Sequence, residues 1–397
     1  MERIVFHIDV NNAFLSWSAL EILKNGGKID IRTIPAVVGG DEKKRRGVVV
    51  ARSMPAKKAG IVTGEPIYMA RRKVDKLYVV QSTKENYIEY SNAFYEVLCK
   101  YSPDVERYSI DECFMDMTGT KKIFGDPVKL AFKIKNEIYK KLGFTVNVGI
   151  GNNKLCAKMA SDFEKPNKVH TLFNNEIKEK MWPLLVDDLF MVGKSSSSKL
   201  HELGIHKIED LAKADINLLI RHFKSMGKMM HDYANGIDNS FVEKPIPKNK
   251  GIGHSTTLAE DAVDMSDLKK VLRKLSDMVG IRLRAEGKYA TVVSVQLKNS
   301  EFFNYQHQKK LVNPISSSED IYDVSLELTK AMWKGEPIRL VGIRVSDFTD
   351  KPYEQISLFE EPNKKENRDK IQKTLDKINQ KYGKNVIKSA SLYNCDD

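Results

Sequence analysis

The sequence predicts an α+β fold divided among several domains, and three observations predict it. The chain has 397 residues, more than one ordinary hydrophobic core serves, and about two to four domains is the usual solution. Between residues 105 and 165, strand-like alternation and helix-like periodicity succeed each other, as in a layer of helices on a sheet. The segment 241–250, FVEKPIPKNK, carries two prolines, three lysines and no apolar period, and alternating strands resume after it. That composition marks a linker between two bodies.

The elements follow in order. In Ile4–Val10 the apolar residues Ile4, Phe6, Ile8 and Val10 share one face, so this is a strand with Asp9 near its end. A helix is expected over 17–25, stopped by Gly26 and Gly27. Residues 43–73 repeat basic side chains around a short strand, Gly47–Ala51. Asp126 and Pro127 open a helix in which Leu130, Ile134, Ile138 and Leu142 line one face, and Gly143 closes it. Val146, Val148 and Ile150 alternate in the next strand, and a helix is expected over 154–163. Residues 171–240 read as compact and helical. Beyond the linker, strands are expected at 293–298 and 341–346, with helices near 266–286 and 319–333 and one sheet face left exposed. From residue 351 the chain turns polar, a tail with one helical segment.

Composition narrows the class. Charged residues make up 30% of the chain, and no apolar run reaches the roughly 18 to 20 residues of a spanning helix. The start, MERIVFHIDV, lacks the plan of a secretion signal. The chain therefore reads as cytoplasmic, with no membrane partner. Cys99, Cys113, Cys156 and Cys395 are scattered, without a Cys-x-x-Cys pair. Buried reduced thiols are expected rather than zinc or disulfides. A net charge of +12 suits a polyanionic partner.

Asp9, Asp111 and Glu112 are the candidate reactive carboxylates. Hard oxygen donors of this kind hold magnesium, and two such ions about 3.5 to 4 Å apart clamp the attacking and leaving oxygens of a phosphoryl transfer. Neighbours within a straight strand point to opposite faces. Asp111 and Glu112 must therefore lie at a strand end or a hairpin bend to act together. An acidic surface turn is the plain alternative.

The run Tyr108-Ser109-Ile110-Asp111-Glu112-Cys113-Phe114-Met115-Asp116 resembles a signature of the Y-family DNA polymerases. Phe6-His7-Ile8-Asp9-Val10-Asn11-Asn12-Ala13-Phe14 resembles their first catalytic motif, and Val148–Asp162, followed by Lys165-Pro166-Asn167, a third block. The similarity spans most of residues 1–350 and is nearest to bacterial polymerases of the DinB and UmuC kinds. It implies a right-hand polymerase: palm at 1–18 with 80–170, small fingers at 19–79, a thumb with a helix-hairpin-helix at 171–240, linker 241–250, and an α+β little finger at 251–350. The implied activity is template-directed, low-fidelity DNA synthesis across damaged bases. A non-catalytic DNA-binding scaffold and a two-metal nuclease remain as alternatives.

The same resemblance assigns residues. Asp9, Asp111 and Glu112, with the Val10 carbonyl, would bind two Mg2+ ions. Phe14 matches the aromatic gate that excludes a 2′-hydroxyl, the amides near Asn12 and Ala13 would face the triphosphate, and Lys165 would contact it. In the fingers motif Met54 stands where the family carries tyrosine, and Lys57 where it carries arginine. Methionine cannot donate to phosphate and lysine keeps the charge without the bidentate fork, so either the nucleotide is gripped more weakly or Arg52 compensates. The hairpin Phe190–Ile205, with Met191 in place of the usual first glycine, would bind a DNA phosphate through Gly193, Lys194 and Ser196. Arg344 would lie along the duplex. Gln355-Ile356-Ser357-Leu358-Phe359 resembles a sliding-clamp peptide, in which Gln355 bonds and Leu358 and Phe359 fill a pocket. The implied partners are primer–template DNA, deoxynucleoside triphosphates and the clamp, with the enzyme a monomer.

Overall fold

The structure is a computed structural model and describes residues 2–42, 45, 47–82, 84–243 and 249–351, with 374–375, 377–378 and 381–382. Contacts divide the chain into two compact units, Met1–Gly40 with Gly47–Ile246 and Asp41–Arg46 with Pro247–Asp397.

In the first unit a five-stranded sheet has the order β5-β6-β1-β7-β8. Strand β1 (Val5–Val10) is central, antiparallel to β6 (Glu112–Asp116) and to β7 (Val146–Gly151). Strand β5 (Val105–Arg107) pairs antiparallel with β6, and β8 (Val169–Leu172) runs parallel to β7. The alternation read from the sequence sets the two faces. Phe6, Ile8 and Val10 join a core with Phe94, Ile134 and Phe144. Val5 packs with Ala157 on the other side.

Helices and a small second sheet accompany the five-stranded sheet in this unit. Helix α1 (Ala13–Lys24) follows β1 at once. It was expected from residue 17. Asn12 takes a left-handed conformation, φ 46° and ψ 51°, which asparagine tolerates, so the strand turns directly into the helix. Strands β2 (Ala36–Gly39), β3 (Val49–Arg52) and β4 (Tyr78–Gln81) form a small sheet beside α2 (Met54–Lys58) and α3 (Ile67–Lys73). The expected strand Gly47–Ala51 is thus shifted toward Arg52. Helices α4 (Lys84–Leu98), α5 (Lys121–Phe124) and α6 (Pro127–Leu142) follow. Helix α6 has the expected ends: the Asp126 side chain accepts from the Lys129 amide, and Gly143 closes it at φ 78°.

Helix α7 (Lys154–Asp162) lies so close to β7 that only glycine fits beneath it. A Cβ on Gly149 would stand 2.0 Å from the Ala157 carbonyl oxygen and 2.4 Å from the Ser161 amide nitrogen. Backbone cannot yield to such an overlap as a flexible side chain can. We expect Gly149→Ala to lower stability by about 3 kcal/mol or more, read by urea unfolding. An unchanged midpoint would show that α7 is free to move off the sheet.

Residues 171–240 are compact and mostly helical, with α8 (Lys194–Glu202), α9 (Ile208–Lys213), α10 (Ile216–Phe223) and α11 (Ser225–Ala234) around Leu200, Leu211, Leu219 and Met230. Leu155 and Met159 of α7 join the same core.

The second unit is an antiparallel sheet of order β11-β10-β12-β9. Its strands are β9 (Gly251–Ala262), β10 (Tyr289–Asn299), β11 (Asn304–Ile315) and β12 (Ile338–Thr349). Helices α12 (Met265–Ala285) and α13 (Ser318–Met332) contribute Leu272, Val279 and Ile321 to one core with Val293, Val295, Val341 and Ile343 of the sheet. The alternation in β10 and β12 showed this face. It did not show β9 and β11, which are broken by glycines or largely polar. Among the described residues no helix is long and apolar enough to cross a membrane. Cys113 and Cys156 are buried and free, but Cys99 is exposed, against expectation. Cys395, residues 244–248 of the linker and most of the tail lie outside the described residues.

Candidate active site

The central sheet sets Asp9 directly opposite Glu112 on the neighbouring strand. Glu112 is the first residue of β6, and Tyr108 and Ser109 both donate their amides to its carbonyl. Asp111 therefore sits in the hairpin bend, the placement that lets consecutive acidic residues serve one site. The Val10 amide donates to the Asp111 carbonyl at 3.0 Å, and the Ser109 hydroxyl to the Asp111 carboxylate at 2.6 Å. Asp9 is 7% exposed.

Two lysines serve the acidic pair. Lys158 of α7 donates to Glu112 at 2.8 Å and lies 3.4 Å from Asp162 and 3.9 Å from Asp9. Lys165, beyond the end of α7, donates to Asp9 and lies 2.8 Å from Asp162. Burial pushes Asp9 above its ordinary pKa against the opposing pull of Lys165. Burial works to raise Glu112 as well, but His7 and Lys158 outweigh it and bring it to about 2. Of the two, Lys158 acts more strongly. His7 is fully buried, burial lowers its pKa, and its Nε2 stands 3.8 Å from Glu112, beyond hydrogen-bond reach. Burial works to lower Lys165, but Asp9 and Asp162 hold it at about 12.

Neutral groups fix the frame. His7 Nδ1 meets the Ser161 hydroxyl at 2.8 Å. Asn147 donates to the carbonyls of Ser161 and Glu164 and accepts from the Lys168 amide. Asn11 donates to Asn147 and accepts from the Asn167 amide. These buried amides hold the loop that carries Lys165 against β1 and β7. The sequence reading assigned none of His7, Lys158, Ser161 or Asn147. The available signal was spacing: Lys158, Ser161 and Asp162 fall at i, i+3 and i+4, one face of a helix.

Other predicted residues are placed as follows. Asn12 is exposed, and Ala13 is buried at the first position of α1. Phe14 is half-buried, its ring 4.9 Å from Tyr87 and 6.0 Å from Trp17 between centroids. Arg52 donates to the Ile61 carbonyl within the small sheet's own region. Met54 begins α2 half-buried, and Lys57 is exposed near its end. Gly193 is the N-cap of α8, and its carbonyl takes the Ser196 and Ser197 amides, leaving Lys194 and Ser195 to open the helix. Met191 keeps φ 71° without being glycine, a conformation that costs a side-chain-bearing residue about 1 to 2 kcal/mol. Arg344 is exposed on β12, paired with Gly253. Gln355, Leu358 and Phe359 lie outside the described residues.

Asp9, Asp111, Glu112 and the Val10 carbonyl are hard oxygen donors, and their chemistry fits magnesium. Among the described residues no group of three His, Cys, Asp or Glu side chains is gathered to hold a metal ion. Here the lysine ammonium groups supply the positive charge that buried carboxylates require.

An open sheet with opposed carboxylates, a small second sheet, a helical body and a C-terminal α+β domain together define a DNA-directed DNA polymerase of the right-hand type. The chain belongs to the impB/mucB/samB family, which residues 8–162 match, with residues 249–358 matching the family's C-terminal domain, and it is a Y-family polymerase of the DinB kind. It is 49% identical to DNA polymerase IV of Clostridium acetobutylicum, over 99% of this chain and 98% of that one. It is 35% identical to DNA polymerase IV of Clostridium kluyveri, over 99% and 98%. DNA polymerase IV 2 of Bacillus subtilis is 34% identical, over 98% and 95%. The solved structure of a Y-family DNA polymerase chimera superposes with a TM-score of 0.77 at 25% identity, covering 88% of this chain and all of the other. Membership implies dependence on a divalent metal and binding of primer–template DNA and deoxynucleotides.

Proposed function

We propose that the chain extends primers across damaged template bases, with Asp9, Asp111 and Glu112 and the Val10 carbonyl holding two magnesium ions. The observation that carries this reading is the pairing of Asp9 with Glu112 on adjacent strands, Asp111 beside them in the bend. When bound, the ions neutralise the triphosphate and activate the 3′-hydroxyl. The chain's own groups position the substrates. Lys165 contacts the triphosphate as a mobile point charge, the amides at Asn12 and Ala13 face it, and Phe14 lies under the sugar. Lys57 adds charge from the fingers. Arg52 is a weaker candidate, since it already serves Ile61.

The palm (1–18 with 80–170), fingers (19–79), thumb (171–240) and little finger (251–350) divide this work. The amides at Gly193 and Lys194, the Ser196 hydroxyl and the Arg344 guanidinium contact DNA phosphates, which gives affinity without sequence choice. Among the described residues the fingers hold, besides the end of α1, a three-stranded sheet and two short helices, too little to enclose the nascent pair, so bulky lesions pass at the expense of accuracy. Gln355, Leu358 and Phe359 bind the sliding clamp, and the enzyme works in the cytoplasm as a monomer.

Met54 and Lys57 favour a second reading, a DNA-binding scaffold without catalysis. One assay decides. A labelled primer on an undamaged template, and on one with an abasic site, is incubated with magnesium and deoxynucleotides. Lengthening past the lesion is expected. Shortening would make the chain a nuclease, and binding without change of length would make it the scaffold.

A further inference from the structure

We propose that Lys165 is a displaceable counter-cation on Asp9, which competes with the catalytic divalent cation for that carboxylate until an incoming triphosphate draws it off. This rests on the reading of Asp9 as a metal ligand.

The two lysines at the acidic pair are held differently. Lys158 projects from within α7, is 8% exposed, and is bound by Glu112 at 2.8 Å with Asp162 and Asp9 beyond. It has no open side toward which to leave. The Lys165 side chain is 37% exposed and hangs from a loop whose backbone the Asn11 and Asn147 amides hold in place. Its ammonium touches Asp9 and, at 2.8 Å, Asp162, whose side chain is 45% exposed. Lys165 thus has solvent on one side and a second carboxylate on which to rest when Asp9 is taken.

An ammonium and a divalent cation on one carboxylate repel each other. A metal binding at Asp9 must displace Lys165 or bind weakly. A triphosphate offers the lysine a stronger anion than Asp162 does, and once Lys165 has moved, Asp9 is open to the cation. Linkage makes the effect mutual, so nucleotide and metal tighten each other by the same factor. Metal would then occupy the site chiefly when a nucleotide is present to use it.

The test uses the full chain without DNA or nucleotide, titrated with Mn2+ and followed by the spin resonance of the free ion. Lys165→Met is expected to bind Mn2+ roughly 5- to 150-fold tighter than the unaltered protein, the usual range of coupling between sites. Lys165→Arg keeps the charge and should bind as weakly as the original. Asp162→Asn removes the alternative seat, confines Lys165 to Asp9, and should weaken Mn2+ binding. Asp9→Asn added to Lys165→Met should erase the gain. Equal affinity in Lys165→Met, or a gain that survives loss of Asp9, would overturn the proposal. The direction of the Asp162→Asn change tests it separately if Lys165→Met does not fold. Primer extension by the unaltered protein is a separate measurement. Its failure alongside tighter Mn2+ binding by Lys165→Met would remove the polymerase reading and leave the competition standing.

Discussion

Asp111→Ala is expected to lower magnesium-dependent primer extension by roughly 10^3-fold or more, since a lost metal ligand removes about 4 kcal/mol or more of transition-state stabilisation at 1.36 kcal/mol per decade. Of the three carboxylates it offers the cleanest test. Asp9 is buried and bound by Lys165, and Glu112 is bound by Lys158, so removing either also disturbs an ion pair and throws its lysine onto Asp162. Asp111 is only half-buried, and its carboxylate accepts one hydrogen bond, from Ser109. Loss of that bond costs about 1 kcal/mol, too little to unfold a protein of this size. Primer–template affinity, measured by fluorescence anisotropy, should stay within about twofold, because DNA binding draws on many phosphate contacts. Extension that survives the change would leave Asp111 as an ordinary turn residue, and the metal-binding reading would fail with it.

The sequence made some parts of this site legible and hid others, for physical reasons. Asp9 could be placed because period-two alternation fixes which face a strand residue takes. The same rule required a strand end or bend at Asp111 if both acidic residues were to serve one site, but the sequence permitted that bend without showing it. Helix α6 was legible because its signals are local: Asp126 and Pro127 at one end, Gly143 at the other. The edge strands β9 and β11 were not, because their partners, rather than their own composition, make them strands. Lys158 was hidden for a related reason. Its role depends on how closely α7 approaches β7, and that depends on Gly149, whose lack of a side chain signals nothing until the helix is seen above it. The small-sheet motif around Met54 shows the converse. A departure from the family pattern was plain in the sequence, but the engagement of Arg52 by the Ile61 carbonyl depends on the fold of the small sheet and leaves no local signal.

Phe14→Ala is expected to raise ribonucleotide incorporation relative to deoxynucleotide incorporation by roughly 10^2-fold, the equivalent of about 2.7 kcal/mol at 1.36 kcal/mol per decade and within the usual cost of a steric overlap. The size of the effect depends on how rigidly the ring is held. A ring that swings aside excludes little, because the substrate then meets only the cost of moving it. Phe14 is the second residue of α1, one turn from the fully buried Trp17. Tyr87 braces its ring at 4.9 Å, and Tyr87 is itself fixed by a 2.8 Å hydrogen bond with Ser18. The brace therefore belongs to the buried core, with Phe14 itself only partly covered. Phe14→Leu keeps much of the packing volume but loses the flat surface, and should fall between the two in discrimination while holding its melting temperature. A ribonucleotide penalty that stays constant across the series, with stability falling instead, would reduce Phe14 to a packing residue of the Trp17 cluster. Steric choice of sugar would then have to come from another group on α1.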